Sequence, residues 1–199
     1  MLDETVASPF KAPPLPELET VVLERQTIAR RVRALGKLIS RDYRGLGDLT
    51  VIGILTGAFV FTCDLIRALS LPVVADFMSI SRYARRPATG EVMILKDLQS
   101  DITGRHVLLV EDIVDTGLTI HYLARNLSNR HPASLAICTL LDRVELRLAD
   151  IPIRYTGFHV SSEFLVGYGL DFQEKYRNLP YIASMKRPGI ETLTNGVKQ

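Results

Sequence analysis

The sequence predicts an α/β fold, a mostly parallel twisted sheet flanked by helices. Three observations carry this expectation. Short apolar runs rich in β-branched residues alternate along the chain with amphipathic stretches of helical period. Strand-like runs such as LTVIGIL and SLAICTLL are almost wholly apolar, as strands covered on both faces are. The 199 residues are 47% hydrophobic and 23% charged, an ordinary globular composition that suits one domain with a sizeable core.

The elements follow in order. Residues 1–20 read as a loose arm, with four prolines between Pro9 and Pro16. The arm has neither a charged n-region nor an apolar h-region, so it is no signal peptide, and no stretch approaches the roughly 18 apolar residues of a membrane span. A cytoplasmic protein is expected. From 22 to 43, Ile28, Val32, Leu35 and Ile39 fall on one helical face, and Gly45 and Gly47 end that helix. LTVIGIL (49–55) is a strand, TGA a turn, and FVFTCDLIRAL (59–69) a largely buried helix broken by Pro72. VVADFMSI (73–80) is a strand, SRYARRPATGE (81–91) a polar, basic loop, and VMILK and HVLLV are strands. LTIHYLARNLSNR (118–130) is a helix with Ile120, Leu123, Ala124 and Leu127 on one face. SLAICTLL is a strand, and EFLVGYGLDF and YIASM add short ones. The domain is placed at 21–186 and a frayed tail at 187–199. The two cysteines, Cys63 and Cys138, lie in apolar runs and read as buried free thiols of a reducing compartment.

Function is most legible in VLLVEDIVDTGLT. In open parallel sheets, ligands bind beyond the carboxyl ends of the strands. Here a strand ends at Glu111 and Asp112, and DTGLT leads straight into a helix. A helix N-terminus offers unpaired N–H groups and a positive dipole end. Gly117 lets the backbone approach a ligand closely, while Thr116 and Thr119 add hydroxyls, which together suit a monophosphate. An ordinary Asp/Thr helix cap fits DTG equally well. Adjacent carboxylates repel and are costly to desolvate unless a cation or hydrogen-bond donors arrive. Divalent metal or sugar hydroxyls would both serve, so the combination suggests a ribose 5-phosphate site. A solvated acidic loop is the plain alternative.

Other chemistries lack their motifs. There is no G-x-x-x-x-G-K-[ST] loop and no G-x-S-x-G elbow. GYGLDF lacks the third glycine of a dinucleotide fingerprint. His106, His121, His131 and His159 have no zinc-ligand spacing. The net charge of +2 gives no global pull toward nucleic acid or membrane.

VLLVEDIVDTGLT resembles the phosphoribosyl-pyrophosphate motif of type I phosphoribosyltransferases. Together with ILTGAFVFTCDLIRAL, GEVMILKDLQSDITGRH, ICTLLDR and FLVGYGLDFQEKYRNLPYI, it is similar to the bacterial hypoxanthine (hypoxanthine-guanine) phosphoribosyltransferases over roughly residues 22–185. The resemblance implies that family's fold, with a small hood built from the chain ends, and a homodimer or homotetramer. It implies transfer of the phosphoribosyl group of phosphoribosyl pyrophosphate to a 6-oxopurine base, with Mg²⁺. Glu111 and Asp112 would face the ribose hydroxyls and the hydrated metal, and Asp171 would bind metal on the pyrophosphate side. Asp115 would lie near purine N7 and act as general base, or orient the proton leaving it. Asp115, Thr116, Gly117, Leu118 and Thr119 would hold the 5-phosphate. Leu55, Thr56 and Gly57 would form the pyrophosphate loop, with Arg177 neutralising pyrophosphate. Ile113, Arg143, Phe164, Leu165 and Asp171 would surround the purine, Phe164 by stacking. Arg82 and Tyr83 would belong to a mobile lid that keeps water from the sugar cation.

Without the resemblance, Phe164 reads as core, Arg177 as a surface ion pair, Asp171 as a turn cap and 81–91 as a plain hairpin. Three positions depart from the family. Thr56 stands where a lysine is usual, Arg82 where a serine is usual before Tyr83, and Arg143 where a lysine meets the purine 6-oxo group. A planar guanidinium still donates there but is bulkier, so base preference could shift. RNA-binding regulators share EDxxDTGxT on the same fold. A nucleic-acid surface normally carries a larger basic excess than +2.

Overall fold

The computed structural model describes residues 15, 17–82 and 92–186. Twelve named helices and strands succeed one another as β1 (Leu18–Leu23), α1 (Arg25–Asp42), β2 (Leu49–Leu55), α2 (Phe59–Ala68), β3 (Val73–Arg82), β4 (Val92–Lys96), β5 (His106–Val114), α3 (Leu118–Ser128), β6 (Ser134–Asp142), β7 (Ile153–His159), β8 (Leu165–Val166) and β9 (Ile182–Met185). Six strands form one sheet in the order β4-β3-β2-β5-β6-β7. All its pairings are parallel except β3 with β4, which is antiparallel. The predicted fold class is the observed one.

The period of two in β5 explains the layers. Leu108 and Val110 join the cluster of α1 and α2 (Ile28, Val32, Leu35, Phe61, Leu65), while Val107 and Leu109 join that of α3 (Ile120, Leu123, Leu127). All of these side chains are buried. Each contributes about 1.5–3 kcal/mol relative to exposure, so β5 is locked in register by cores on both sides. Its register fixes where Glu111 and Asp112 emerge.

The second sheet, β1-β9-β8, is antiparallel and unites both ends of the described chain. Leu179, Tyr181 and Ala183 form a small core beneath it. This is the hood that the resemblance implies.

Several expectations need correction. The first helix begins at Arg25 rather than 22, because Leu18–Leu23 is a strand that reaches into the expected arm. That strand is mostly exposed, so its apolar pattern is weak, and its conformation comes from pairing with β9. Strand β7 carries no clear strand signature, since IRYTGFH mixes polar and apolar residues as an edge strand does. Strand β5 runs on through Glu111 and Asp112 to Val114, so the acid pair lies inside a strand. In GYGL, Gly167, Tyr168 and Gly169 all have positive φ, which leaves Leu165–Val166 alone as strand. Helix α2 buries only Phe61, Thr62 and Leu65. Cys63 lies on its outer face and is exposed, while Cys138 is buried and its thiol is pushed far up by desolvation. Residues 1–14, 187–199 and most of the expected lid, Tyr83 included, lie outside the described residues, and of Arg82 only the backbone, paired with Val92, is described.

Candidate active site

Strand β2 pairs with β3 on one side and β5 on the other. The connection from β2 leads through α2 to β3, away from β5, which opens a crevice at the carboxyl ends of these strands. A cavity of about 440 Å³ occupies it. Strand β2 supplies Ile54 and Leu55 and is followed by Thr56 and Gly57, β3 supplies Ile80, and β5 and its exit supply Glu111, Asp112, Ile113, Asp115 and Thr119. Arg143 follows β6, and the hood closes the far side with Phe164, Leu165, Leu170, Asp171 and Arg177.

Thirteen expected site residues therefore meet in one space: Leu55, Thr56, Gly57, Glu111, Asp112, Ile113, Asp115, Thr119, Arg143, Phe164, Leu165, Asp171 and Arg177. Thr116, Gly117 and Leu118 do not border it. They form the turn beneath, and Leu118 turns a 54% exposed side chain outward. Ile54, Ile80 and Leu170 also border it. As apolar residues at a strand end or turn, they carry no chemical signal in sequence.

Gly117 is the N-cap of α3, with φ 81°. A Cβ there would lie 2.8 Å from Arg147 Cδ and 3.0 Å from Ile151 Cδ1. Thr116 O accepts the amides of Leu148 (2.9 Å) and Ala149 (3.1 Å), so the 147–151 segment braces the turn from outside. The Leu118 amide reaches Thr116 Oγ1 at 3.5 Å, and the next amides of α3 point to where an anion could bind.

The Thr56-Gly57 loop is wedged between β5 and the hood. The Leu55–Thr56 peptide is cis. A Cβ on Gly57 would sit 1.7 Å from Asp112 Oδ2, and one on Gly169 would sit 2.2 Å from Gly57 O. Only glycines allow this stack of carboxylate, loop and hood.

Asp112 is half-buried, and its Oδ1 accepts the Ile113 amide at 2.8 Å. Burial, reinforced by the Asp115 charge, outweighs that bond and the Arg177 charge and pushes its carboxyl up to about 6. Asp115 Oδ1 accepts from Arg143 Nη1 at 2.9 Å. Arg143 is 8% exposed, and it also donates through Nε to Ser161 O (3.0 Å) and through Nη2 to Glu163 O. Arg177 Nη2 pairs with Asp171 Oδ1 at 2.9 Å and with Glu174, and Nη1 donates to Gly169 O at 2.9 Å. Arg177 thus borders the cavity while tying the hood together. Phe164 meets Phe172 edge to face, with ring centroids 5.8 Å apart.

A larger cavity of about 850 Å³ lies between α1, α2 and residues 177–180. It holds no acid pair, and its one carboxylate, Asp64, is engaged by Arg67 and the Tyr168 hydroxyl. The smaller cavity is the one that gathers the acid pair with the other expected site residues.

Comparisons with known proteins agree with this fold. A family model described as "Phosphoribosyl transferase domain" matches residues 20–173. The hypoxanthine-guanine phosphoribosyltransferase of Mycobacterium avium is 46% identical over 175 residues, 85% of this chain and 86% of that protein. The hypoxanthine-guanine-xanthine phosphoribosyltransferase of Tritrichomonas foetus is 42% identical over 177 residues, covering 88% and 96%. Among solved structures, a hypoxanthine-guanine phosphoribosyltransferase of Bacillus anthracis superposes with a TM-score of 0.82 at 43% identity, covering 85% of this chain and 100% of that one.

Proposed function

This chain belongs to the phosphoribosyl transferase family, and from that premise we propose that it joins a 6-oxopurine, hypoxanthine or guanine, to phosphoribosyl pyrophosphate in purine salvage. The products are IMP or GMP and pyrophosphate. The observation that carries the reading is one cavity bordered by an acid pair, the start of α3, the Thr56-Gly57 loop and an aromatic wall.

The roles follow from the chemistry. As the C1–O bond breaks, its electron pair leaves with pyrophosphate and the sugar becomes positive. Purine N9 donates the pair that forms the new bond, and the N7 proton departs. Glu111 and Asp112 face the ribose hydroxyls and tolerate the sugar charge. Asp115 takes the N7 proton. The turn of Asp115, Thr116, Gly117, Leu118 and Thr119 holds the 5-phosphate through amides and hydroxyls. Leu55, Thr56, Gly57 and Arg177 receive pyrophosphate. Phe164 stacks on the base, with Ile113 and Leu165 beside it. Arg143 offers the 6-oxo oxygen the N–H groups it does not spend on described partners. Arg82 and Tyr83 belong to the lid.

Mg²⁺ fits the donor set. The acids offer only oxygen, and among the described residues no group of three or more His, Cys, Asp and Glu side chains forms a protein cage. Mg²⁺ prefers one or two carboxylates together with water and substrate phosphate. Glu111, Asp112 and Asp171 would hold it. When bound, it neutralises charge on the leaving pyrophosphate.

The assembly is a homodimer or homotetramer. The open cavity beside α2, with Phe59 37% exposed at its edge, supports that reading. No helix among the described residues is long and apolar enough to cross a membrane, and a cytoplasmic site of action accords with salvage of free bases.

The test is a spectrophotometric assay with phosphoribosyl pyrophosphate, Mg²⁺ and hypoxanthine, guanine, xanthine, adenine or uracil in turn. Turnover is expected with hypoxanthine or guanine. Turnover with xanthine alone would mean a shifted base range. Turnover with none, together with salt-dependent RNA binding, would favour a regulator built on the same fold.

A further inference from the structure

We propose that Arg143 is a positioning residue, whose guanidinium aims the proton-accepting Asp115 and anchors the segment that carries the purine-stacking Phe164. This deepens the reading above and rests on it. Arg143 stands directly after β6, and its amide donates to Val114 O at 3.0 Å, so its backbone is fastened to the end of β5. From there the planar fork reaches three acceptors on two different segments: Asp115 Oδ1 through Nη1, Ser161 O through Nε and Glu163 O through Nη2. Asp115 Oδ2 has no bond to any described residue, so one carboxylate oxygen is fixed while the other can take a proton. Residues 161–163 are exposed, and their hydrogen bonds to described residues are these two from Arg143. Phe164 follows at once.

A lysine could not reproduce this. Its ammonium is a single point charge on a flexible stem, whereas the guanidinium presents donors in a rigid plane with fixed directions. The arginine at this position therefore couples two parts of the purine site, the group that accepts the proton and the wall that holds the ring.

The experiment is a double-mutant cycle on the full chain with hypoxanthine, comparing Arg143→Met, Arg143→Lys, Asp115→Asn and Arg143→Met/Asp115→Asn for kcat and purine KM. If Arg143 acts through Asp115, Arg143→Met should lower kcat by about 30-fold or more in the native background and less than about threefold beside Asp115→Asn, because residues acting as a unit are not additive. Purine KM should rise in both backgrounds, since the 161–163 tether and the 6-oxo contact are lost in each. Arg143→Lys should restore much of kcat, through its charge near Asp115, while purine KM stays high. Equal kcat losses in the two backgrounds, or an unchanged kcat in Arg143→Met, would overturn the proposal. Should Arg143→Met not fold, Arg143→Lys decides alone, and wild-type kcat and KM in that variant would overturn it too. An inactive wild-type chain would refute the proposed function itself, whereas an active one with an additive cycle would refute only the role of Arg143.

Discussion

Asp112 occupies a poor place for a negative charge, and its cost can be read in stability. Its carboxyl rises from an ordinary 3.8 to about 6, first because of burial and further because of Asp115. The folded chain therefore holds this proton more tightly than the unfolded chain does. The stability contributed is full below pH 3.8, falls as pH climbs toward 6 and stays lost above that. In metal-free protein, the neutral near-isostere Asp112→Asn should raise stability at pH 8 by about 1–3 kcal/mol, with little gain at pH 4. Denaturant midpoints at the two pH values test this, and an equal effect at both would show that Asp112 is not perturbed. Gly57 acts on the same carboxylate. A methyl group there would meet Asp112 Oδ2 at 1.7 Å, so the acid must leave its bond to the Ile113 amide or the loop must shift. Gly57→Ala should lower kcat/KM for phosphoribosyl pyrophosphate by about 100-fold or more, as an ångström-scale misplacement of reacting groups does. Steady-state kinetics of that variant, with its melting temperature as control, would expose a loop more yielding than this.

At the scale of elements, the turn into α3 lies beneath the cavity and the β1-β9 pairing builds the hood sheet. Gly117 has a positive φ and close neighbours in Arg147 and Ile151. Gly117→Ala should therefore cost about 1–2 kcal/mol from the left-handed conformation alone and weaken binding of ribose 5-phosphate. An unchanged denaturant midpoint would mean that the turn relaxes freely. This turn was legible in sequence because a glycine between hydroxyl residues at a strand-to-helix junction has a local cause. β1 was not legible, because its cause is remote: Leu18, Val21 and Leu23 take their extended form from Met185, Ala183 and Ile182, more than 150 residues away in the chain. The same distinction explains why β5 outruns its apolar HVLLV run. Charged residues seldom continue a buried strand, yet Glu111 pairs in register with Thr139 of β6 and Ile113 with Leu141.

For the whole molecule, the sheet order places the ends of β2, β3, β5 and β6 around one crevice, and the hood brings distant chain segments over it. The EDIVDTGLT stretch supplies five of the thirteen expected residues that border the cavity, Glu111, Asp112, Ile113, Asp115 and Thr119, since acids and a glycine turn advertise chemistry by residue type. What sequence could not show is that Arg177 spends its donors on the hood, or that Arg143 bonds Asp115, because a side chain's partners depend on tertiary contact. A site so divided between sheet and hood should gain cohesion when a ligand bridges the two, and that gain is measurable. A nucleotide at about 100 times its Kd stabilises the folded chain by about 2.7 kcal/mol. For a chain of this size about 2–4 °C accompanies each kcal/mol, so IMP or GMP should raise the melting temperature by roughly 5–10 °C. AMP carries the same ribose phosphate, but on the proposed contact it would present a 6-amino donor to the N–H groups of Arg143, and burying donor against donor leaves both unpaired. At equal concentration AMP should give less than about half the shift, and ribose 5-phosphate should resemble AMP more than IMP. Equal shifts for AMP and IMP would remove the 6-oxo contact while leaving the phosphate turn intact. No shift with any of them would mean that the cavity beneath the hood is not where a phosphoribosyl group binds.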